Sequence, residues 1–219
     1  MLILSSGARD KFRADPTSAL IDNPRAARIR CLCVAPLKTA YLDIETDYVG
    51  PHRPPDLFKD YANHKLTVIG IRIVAGDEDN FVQLVGEQIT RESLLAALAG
   101  VERIVSYNGR SKPDNVKGSI GFDFPVIAAQ LGVVLDREFQ HTDLVPLCWQ
   151  KNLYGGLKKV EIALGLKRKL PGKDGLWANQ TWREFLRTRD QTLLDALLAY
   201  NKEDVFMLRE VELALRSRP

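Results

Sequence analysis

Cysteine is scarce in this chain. Three cysteines in 219 residues, an odd number, exclude a paired disulfide framework and agree with a reducing compartment. Cys31 and Cys33 form a lone Cys-x-Cys. With only Cys148 besides, and histidines scattered as His52, His64 and His141, the four converging ligands of a structural zinc site are not in view, and the pair reads as part of a short buried strand. Long apolar runs are missing as well. No stretch is long enough to span a bilayer, and the opening MLILSSGARDKFRAD is too soon charged for a signal peptide, so a cytoplasmic protein without a membrane partner is expected. Nor is there an excess of one charge: 31 Lys and Arg stand against 28 Asp and Glu, a net +3. Nucleic-acid binding depends on clustered rather than summed charge, so this balance leaves the partner open. No repeat or low-complexity segment is visible.

What is present suits one globular core, with 45% hydrophobic and 27% charged residues. Residues 1–35 mix Arg, Asp, Pro and Ser without periodicity and read as a loosely ordered arm, leaving 36–219 as the domain. Strands are expected at Thr39 to Ile44, Leu66 to Val74, Phe81 to Val85 and Arg103 to Tyr107, with a helix at Arg91 to Ala99 ending at Gly100. Beyond Asn108 the pattern is helical: Phe124 to Leu131, Leu144 to Leu153, Lys158 to Leu164, Thr181 to Arg187, and a last helix from Asp190 to Leu215. Strand-helix alternation of this kind predicts an α/β fold with a central mixed sheet. In the last helix, Leu194, Leu197, Leu198, Val205, Leu208, Val211 and Leu215 trace an apolar stripe, and Tyr200 and Asp204, four residues apart, lie beside it and can face the sheet together.

The chemistry-bearing residues are acidic. In KTAYLDIET a strand carries Asp43 and Glu45 two positions apart, projecting both carboxylates from one face. Two like charges on an otherwise apolar strand are costly without a counter-cation. Spacing alone is a weak signal: Asp136-Arg137-Glu138 repeats it and reads as surface decoration. The order of segments says more. After the Asp43 strand comes Tyr107-Asn108-Gly109, then Gly121-Phe122-Asp123-Phe124-Pro125 opening a helix, then Tyr200-Asn201-Lys202-Glu203-Asp204, and of six tyrosines only Tyr200 has an aspartate four residues on.

In this ordered set the sequence resembles the DEDD superfamily of 3′-to-5′ exonucleases, in its tyrosine-containing branch, and within it the predicted bacterial exonucleases similar to the proofreading domain of family B DNA polymerases. The resemblance runs from about residue 39 to 212 and takes in His141-Thr142-Asp143-Leu144 and Gly156-Leu157-Lys158-Lys159-Val160-Glu161. In the family the Asn-Gly pair stands only a few residues before Phe-Asp. Here Arg110 to Gly121 intervenes, an insert expected to loop out beside the site, which leaves the orientation of Asn108 and the strand-to-helix junction open.

The resemblance implies an RNase H-like fold and a two-metal-ion nuclease, with Mg²⁺ or Mn²⁺ suited to the all-oxygen ligands Asp43, Glu45, Asp123 and Asp204. It makes Tyr200 the orienter of the attacking water and a single-stranded 3′ end the substrate, DNA favoured over RNA. Asp123 could instead cap the following helix, Tyr200 could be a satisfied core tyrosine, and Asp143 reads as a structural hydrogen-bonding group. Nucleic-acid contacts are assigned to Asn108, Phe122, Lys158 and Lys159, the two lysines belonging with Lys167, Arg168 and Lys169 to a basic stretch that is either phosphate-binding or simply solvated. Tyr107 and Trp177 could stack on bases or belong to the core. The competing readings are an endonuclease or ribonuclease on the same fold, and a nucleic-acid-binding module without turnover beside a helicase, polymerase or repair partner.

Overall fold

A computed structural model describes residues 37–51, 56–110 and 121–218. The expected arm, Cys31, Cys33, His52 and most of the insert lie outside them. Five strands form one mixed sheet in the order β3-β2-β1-β4-β5, with β1 at Thr39–Tyr48, β2 at His64–Ala75, β3 at Glu78–Val85, β4 at Arg103–Ser106 and β5 at Gln140–Asp143. The first three strands form an antiparallel meander, and β4 and β5 add in parallel beside β1. Seven helices flank the sheet among the described residues: α1 Arg91–Ala97, α2 Asp123–Leu131, α3 Leu135–Glu138, α4 Leu144–Gln150, α5 Leu157–Ala163, α6 Gly175–Thr188 and α7 Gln191–Ser217.

The two faces of β1 go to different cores, as strand alternation requires. Ala40, Leu42 and Ile44 join Ile69, Ile71 and Ile73 of β2 in a layer covered by Leu94 and Leu98 at α1 and by Phe124, Val126 and Ile127 of α2. On the opposite face Tyr41 packs with Val205, Leu208, Val211 and Leu215 of α7. Asp43 and Glu45 continue that second face, so both carboxylates look towards α7. The helix comes close because Gly70, paired with Asp43 across the sheet, has no side chain: a Cβ there would lie 2.2 Å from Asn201 Oδ1 and 2.7 Å from Val205 Cγ2.

Three expectations change. His141 to Asp143, where no strand was expected, belongs to the edge strand β5, too short for its alternation to show. The strand expected to end at Ile44 runs on to Tyr48, because Thr46 and Asp47 pair with Leu66 and Lys65 beyond a register shift at Glu45/Thr46. That shift leaves Thr67 of β2 as the extra residue of a bulge, directly beside the acidic pair. The helix expected from Thr181 begins earlier, at Gly175, because Asp174 caps it by accepting from Trp177 N at 2.9 Å.

Candidate functional site

The cleft opens where the sheet parts. β1 and β4 pair only as far as Tyr41 and Val105, and β1 then continues through Asp43 and Glu45 while β4 turns away at Tyr107. A cavity of about 540 Å³ fills this opening, with Asp43, Glu45, Asp123, Tyr200 and Asp204 all in its wall. Ligand atoms of Asp43, Glu45 and Asp204 lie within 4.8 Å of one another, the one such group of acidic, histidine or cysteine residues among the described residues. Strand spacing supplies the first two carboxylates, and the i, i+4 step of α7 brings Asp204 beside Tyr200.

Asp123 lines the same cavity without being one of that trio. It stands at the first position of α2, not at its cap; Phe122 occupies the cap and no side chain caps the helix. The capping alternative is therefore overturned. Its Oδ2 is buried with no hydrogen-bond partner among the described residues. Such an atom is expensive to bury for structural reasons alone, and it fits the need of a cation for oxygen ligands. Asp143, by contrast, has a structural role: its Oδ1 accepts from Val145 N at 3.0 Å, capping α4, and from Asn108 N at 2.9 Å.

Burial sets the electrostatics. Desolvation, and after it the repulsion of Asp204, push Asp43 well above the usual carboxylate range, and Glu45 is raised by desolvation and then by Asp43 and Asp204. Asp123 is raised by desolvation, then by Asp43 and Asp143. Asn201 offsets part of this by donating to Asp43 Oδ2 at 3.1 Å, while its own oxygen accepts from Gln83 at 3.0 Å. The sign for stability follows. A carboxyl raised on folding contributes stability that is present below its unfolded value and is lost as pH rises through its folded value. The melting temperature of EDTA-treated protein should thus fall relative to the Mn²⁺-loaded protein as pH rises from about 5 to 8, the gap widening by several degrees; differential scanning fluorimetry of both forms checks it, and a gap independent of pH would count against cation binding here.

Tyr200 is buried, yet it is not a satisfied core residue set apart from the site. Its ring packs edge-on against Trp177 with centroids 5.5 Å apart, and its hydroxyl accepts from Lys158 Nζ at 2.6 Å. Burial, then the negative charges of Asp204, Glu45 and Asp43, push its pKa far up. Trp177 accordingly serves as a wall for Tyr200, with Lys173 4.0 Å above its ring.

The structure divides the expected nucleic-acid contacts. Asn108 and Phe122 both line the cavity. The insert leaves their junction closed: Phe122 N donates to Asn108 O and Phe124 N to Gly109 O, each at 2.8 Å. Asn108 itself has φ 64°, and its buried Oδ1 has no hydrogen-bond partner among the described residues. Neither Lys158 nor Lys159 lines the cavity: Lys158 reaches inward to the Tyr200 hydroxyl, whereas Lys159 is exposed. Tyr107 lines the cavity with its hydroxyl donating to Gly155 O at 2.5 Å. Of the basic stretch, Lys167 and Lys169 are exposed but the side chain of Arg168 is buried, paired with Glu161 and 2.5 Å from Asp204 Oδ1. Arg168 is thus neither solvated nor open to phosphate. Periodicity could not have found this, because the pairing depends on how the loop after α5 folds back on α7. The second Asp-x-Glu, Asp136 and Glu138, falls on α3, where an i, i+2 step sends the side chains to different sides.

No helix among the described residues is long and apolar enough to cross a membrane. No curated protein matches the chain. A family profile described as the RNase H superfamily matches residues 40–215, a span that takes in the sheet but for Thr39, the first residue of β1, and contains all four acidic residues and Tyr200. The sheet order, the acidic trio on β1 and α7, and this match agree: the chain belongs to the RNase H superfamily, whose nuclease-type hydrolases work with divalent metal ions.

Proposed function

We propose that this protein is a metal-dependent 3′-to-5′ exonuclease acting on single-stranded nucleic acid ends, DNA favoured over RNA. The observation that carries the reading is the convergence of Asp43, Glu45 and Asp204 within 4.8 Å, in one cavity with Asp123 and Tyr200. Asp43, Glu45 and Asp204 would hold one divalent ion and Asp43 with Asp123 a second, Mg²⁺ or Mn²⁺ by the hardness of the oxygen ligands. Such ions supply Lewis acidity towards the phosphate and acidity to a bound water.

The chain's own residues account for the rest. Tyr200 offers an O–H donor that orients a water or phosphate oxygen, a positioning role that suits a phenol at neutral pH better than proton abstraction. Lys158 fixes that hydroxyl and brings a positive charge beside the cleft. Phe122 and Phe58, with ring centroids 6.0 Å apart, form an apolar wall on which a base could stack. Phe58 is 61% exposed, which an unpaired strand could cover more readily than a duplex.

Tyr200→Phe should lower kcat about 10- to 100-fold, with Mn²⁺ affinity and KM near those of the wild type, since it removes a positioning hydrogen bond but no ligand. Equal loss in kcat and metal affinity would remove Tyr200 from this role. The whole reading is tested by 5′-labelled single-stranded DNA and RNA incubated with Mg²⁺, Mn²⁺ or EDTA. A ladder shortening from the 3′ end and abolished by EDTA is expected; linearisation of closed circles would make the protein an endonuclease, and cleavage of neither polymer would leave a binding module.

A further inference from the structure

Among the described residues, Arg168 is the cation buried against the acidic cluster with a built support of its own. Its side chain is 8% exposed. Nε donates to Glu161 Oε2, and Nη2 to Glu161 Oε1 at 2.7 Å. A two-pronged pair of this kind fixes the plane of the guanidinium, and the remaining nitrogen, Nη1, then lies 2.5 Å from Asp204 Oδ1 and 3.9 Å from Glu203 Oε2. The approach to Asp204 is an ion contact without the alignment of a hydrogen bond. Glu161 is 1% exposed, so its charge answers to Arg168 rather than to water. Glu203 also accepts from Leu170 N at 3.1 Å and from Lys169 N, which ties the loop to α7 immediately after Arg168.

A buried ion pair returns little net stability after desolvation. As a fold-stabilising device alone, Glu161 and Arg168 would be poorly placed next to three converging carboxylates. Their geometry makes sense if the cation is meant for Asp204. We propose that Arg168 is a positioning residue acting through Asp204: the resident counter-cation of the acidic cluster, aimed by Glu161, which holds the Asp204 carboxylate and moderates the cluster's hold on divalent ions. The inference rests on reading Asp43, Glu45 and Asp204 as a metal site. A fixed positive charge at ion-pair distance from one ligand repels an incoming dication and competes for the same oxygen, whereas the negative charge of Glu161 acts in the opposite sense.

The test is calorimetric titration of Mn²⁺ into the full chain after treatment with EDTA and dialysis. Arg168→Gln should bind Mn²⁺ about tenfold more tightly than wild type, Glu161→Gln about fivefold more weakly, and Arg168→Lys, which keeps the charge, within about threefold. Opposite signs are the signature, because damage to the fold would weaken binding in both neutral variants. Unchanged or weaker binding by Arg168→Gln overturns the proposal. Should that variant not fold, unchanged or tighter binding by Glu161→Gln overturns it equally. Asp43→Asn distinguishes the two levels: if it binds Mn²⁺ like wild type, the metal-site reading itself fails, and if it loses binding while Arg168→Gln gains none, only the role of Arg168 fails.

Discussion

Asp43→Asn should reduce nuclease activity on the order of 10³-fold or more while leaving the protein folded. Asp43 is the carboxylate that links the acidic groups of the cleft: it repels Glu45 and Asp123, belongs to the trio with Asp204, and is held by Asn201. Asparagine keeps the shape and keeps an oxygen to accept from Asn201, but removes the charge that a cation needs. Loss of that charge also relieves repulsion, so the EDTA-treated variant should melt no lower than wild type and should lose most of the stabilisation that Mn²⁺ confers. Steady-state cleavage of single-stranded DNA, read beside melting curves with and without Mn²⁺, measures both halves. Glu138→Gln is the matched control, since Glu138 is exposed on α3 in the other Asp-x-Glu and its loss should change neither. Retention of activity by Asp43→Asn would sink the proposed chemistry.

The second large effect is structural and starts from an absent side chain. Gly70→Ala should cost about 2–3 kcal/mol and roughly 5–10 °C in melting temperature, because the new methyl would stand 2.2 Å from Asn201 Oδ1 and 2.7 Å from Val205 Cγ2. Neither neighbour can yield cheaply. Asn201 is fully buried and is bonded to both Gln83 and Asp43, and Val205 is packed in the core under α7. Displacing Asn201 also releases Asp43, so activity should fall further than stability predicts. Gly175→Ala, where a Cβ meets nothing within 4 Å, should be nearly neutral for stability. Adding Asn201→Ala to Gly70→Ala should recover part of the lost melting temperature if the clash is with the carboxamide, and a strictly additive double variant would refute that account.

Both predictions concern groups that differ in how visible they were beforehand. Asp43 and Glu45 were legible because strand geometry alone puts alternate residues on one face, and Asp204 and Tyr200 because one helical turn does the same. These are local relations, and the segments that carry them are long and strongly patterned. The decoy at Asp136 and Glu138 was separable only by the secondary structure beneath it. Gly70, Asn201 and Gln83 gave no signal, since a glycine in a strand and an asparagine in a helix acquire meaning only when the two elements are seen to touch. Asp47 is another such case: it extends the alternation of Asp43 and Glu45, but beyond the bulge it is paired with Arg183 at 2.7 Å and stands outside the acidic trio.

The sequence by itself determined the α/β class, most of the helices, four of the five strands and the pairings of Asp43 with Glu45 and of Tyr200 with Asp204, all of which rest on periodicity or on fixed spacing within one element, whereas Asp123 was reached only through the order of the segments and the resemblance they carry. Tertiary structure decided what depends on contacts between elements distant in the chain. It placed β5 at the sheet edge through its pairing with β4, and closed the Asn108 and Phe122 junction across the insert. It also took Arg168 out of the basic stretch and set it against Asp204, 36 positions later in sequence. A charge 2.5 Å away in a buried cleft outweighs the identity of its neighbours along the chain, because low local dielectric and the lack of competing water make nearness in space, which no spacing rule encodes, the quantity that sets its role.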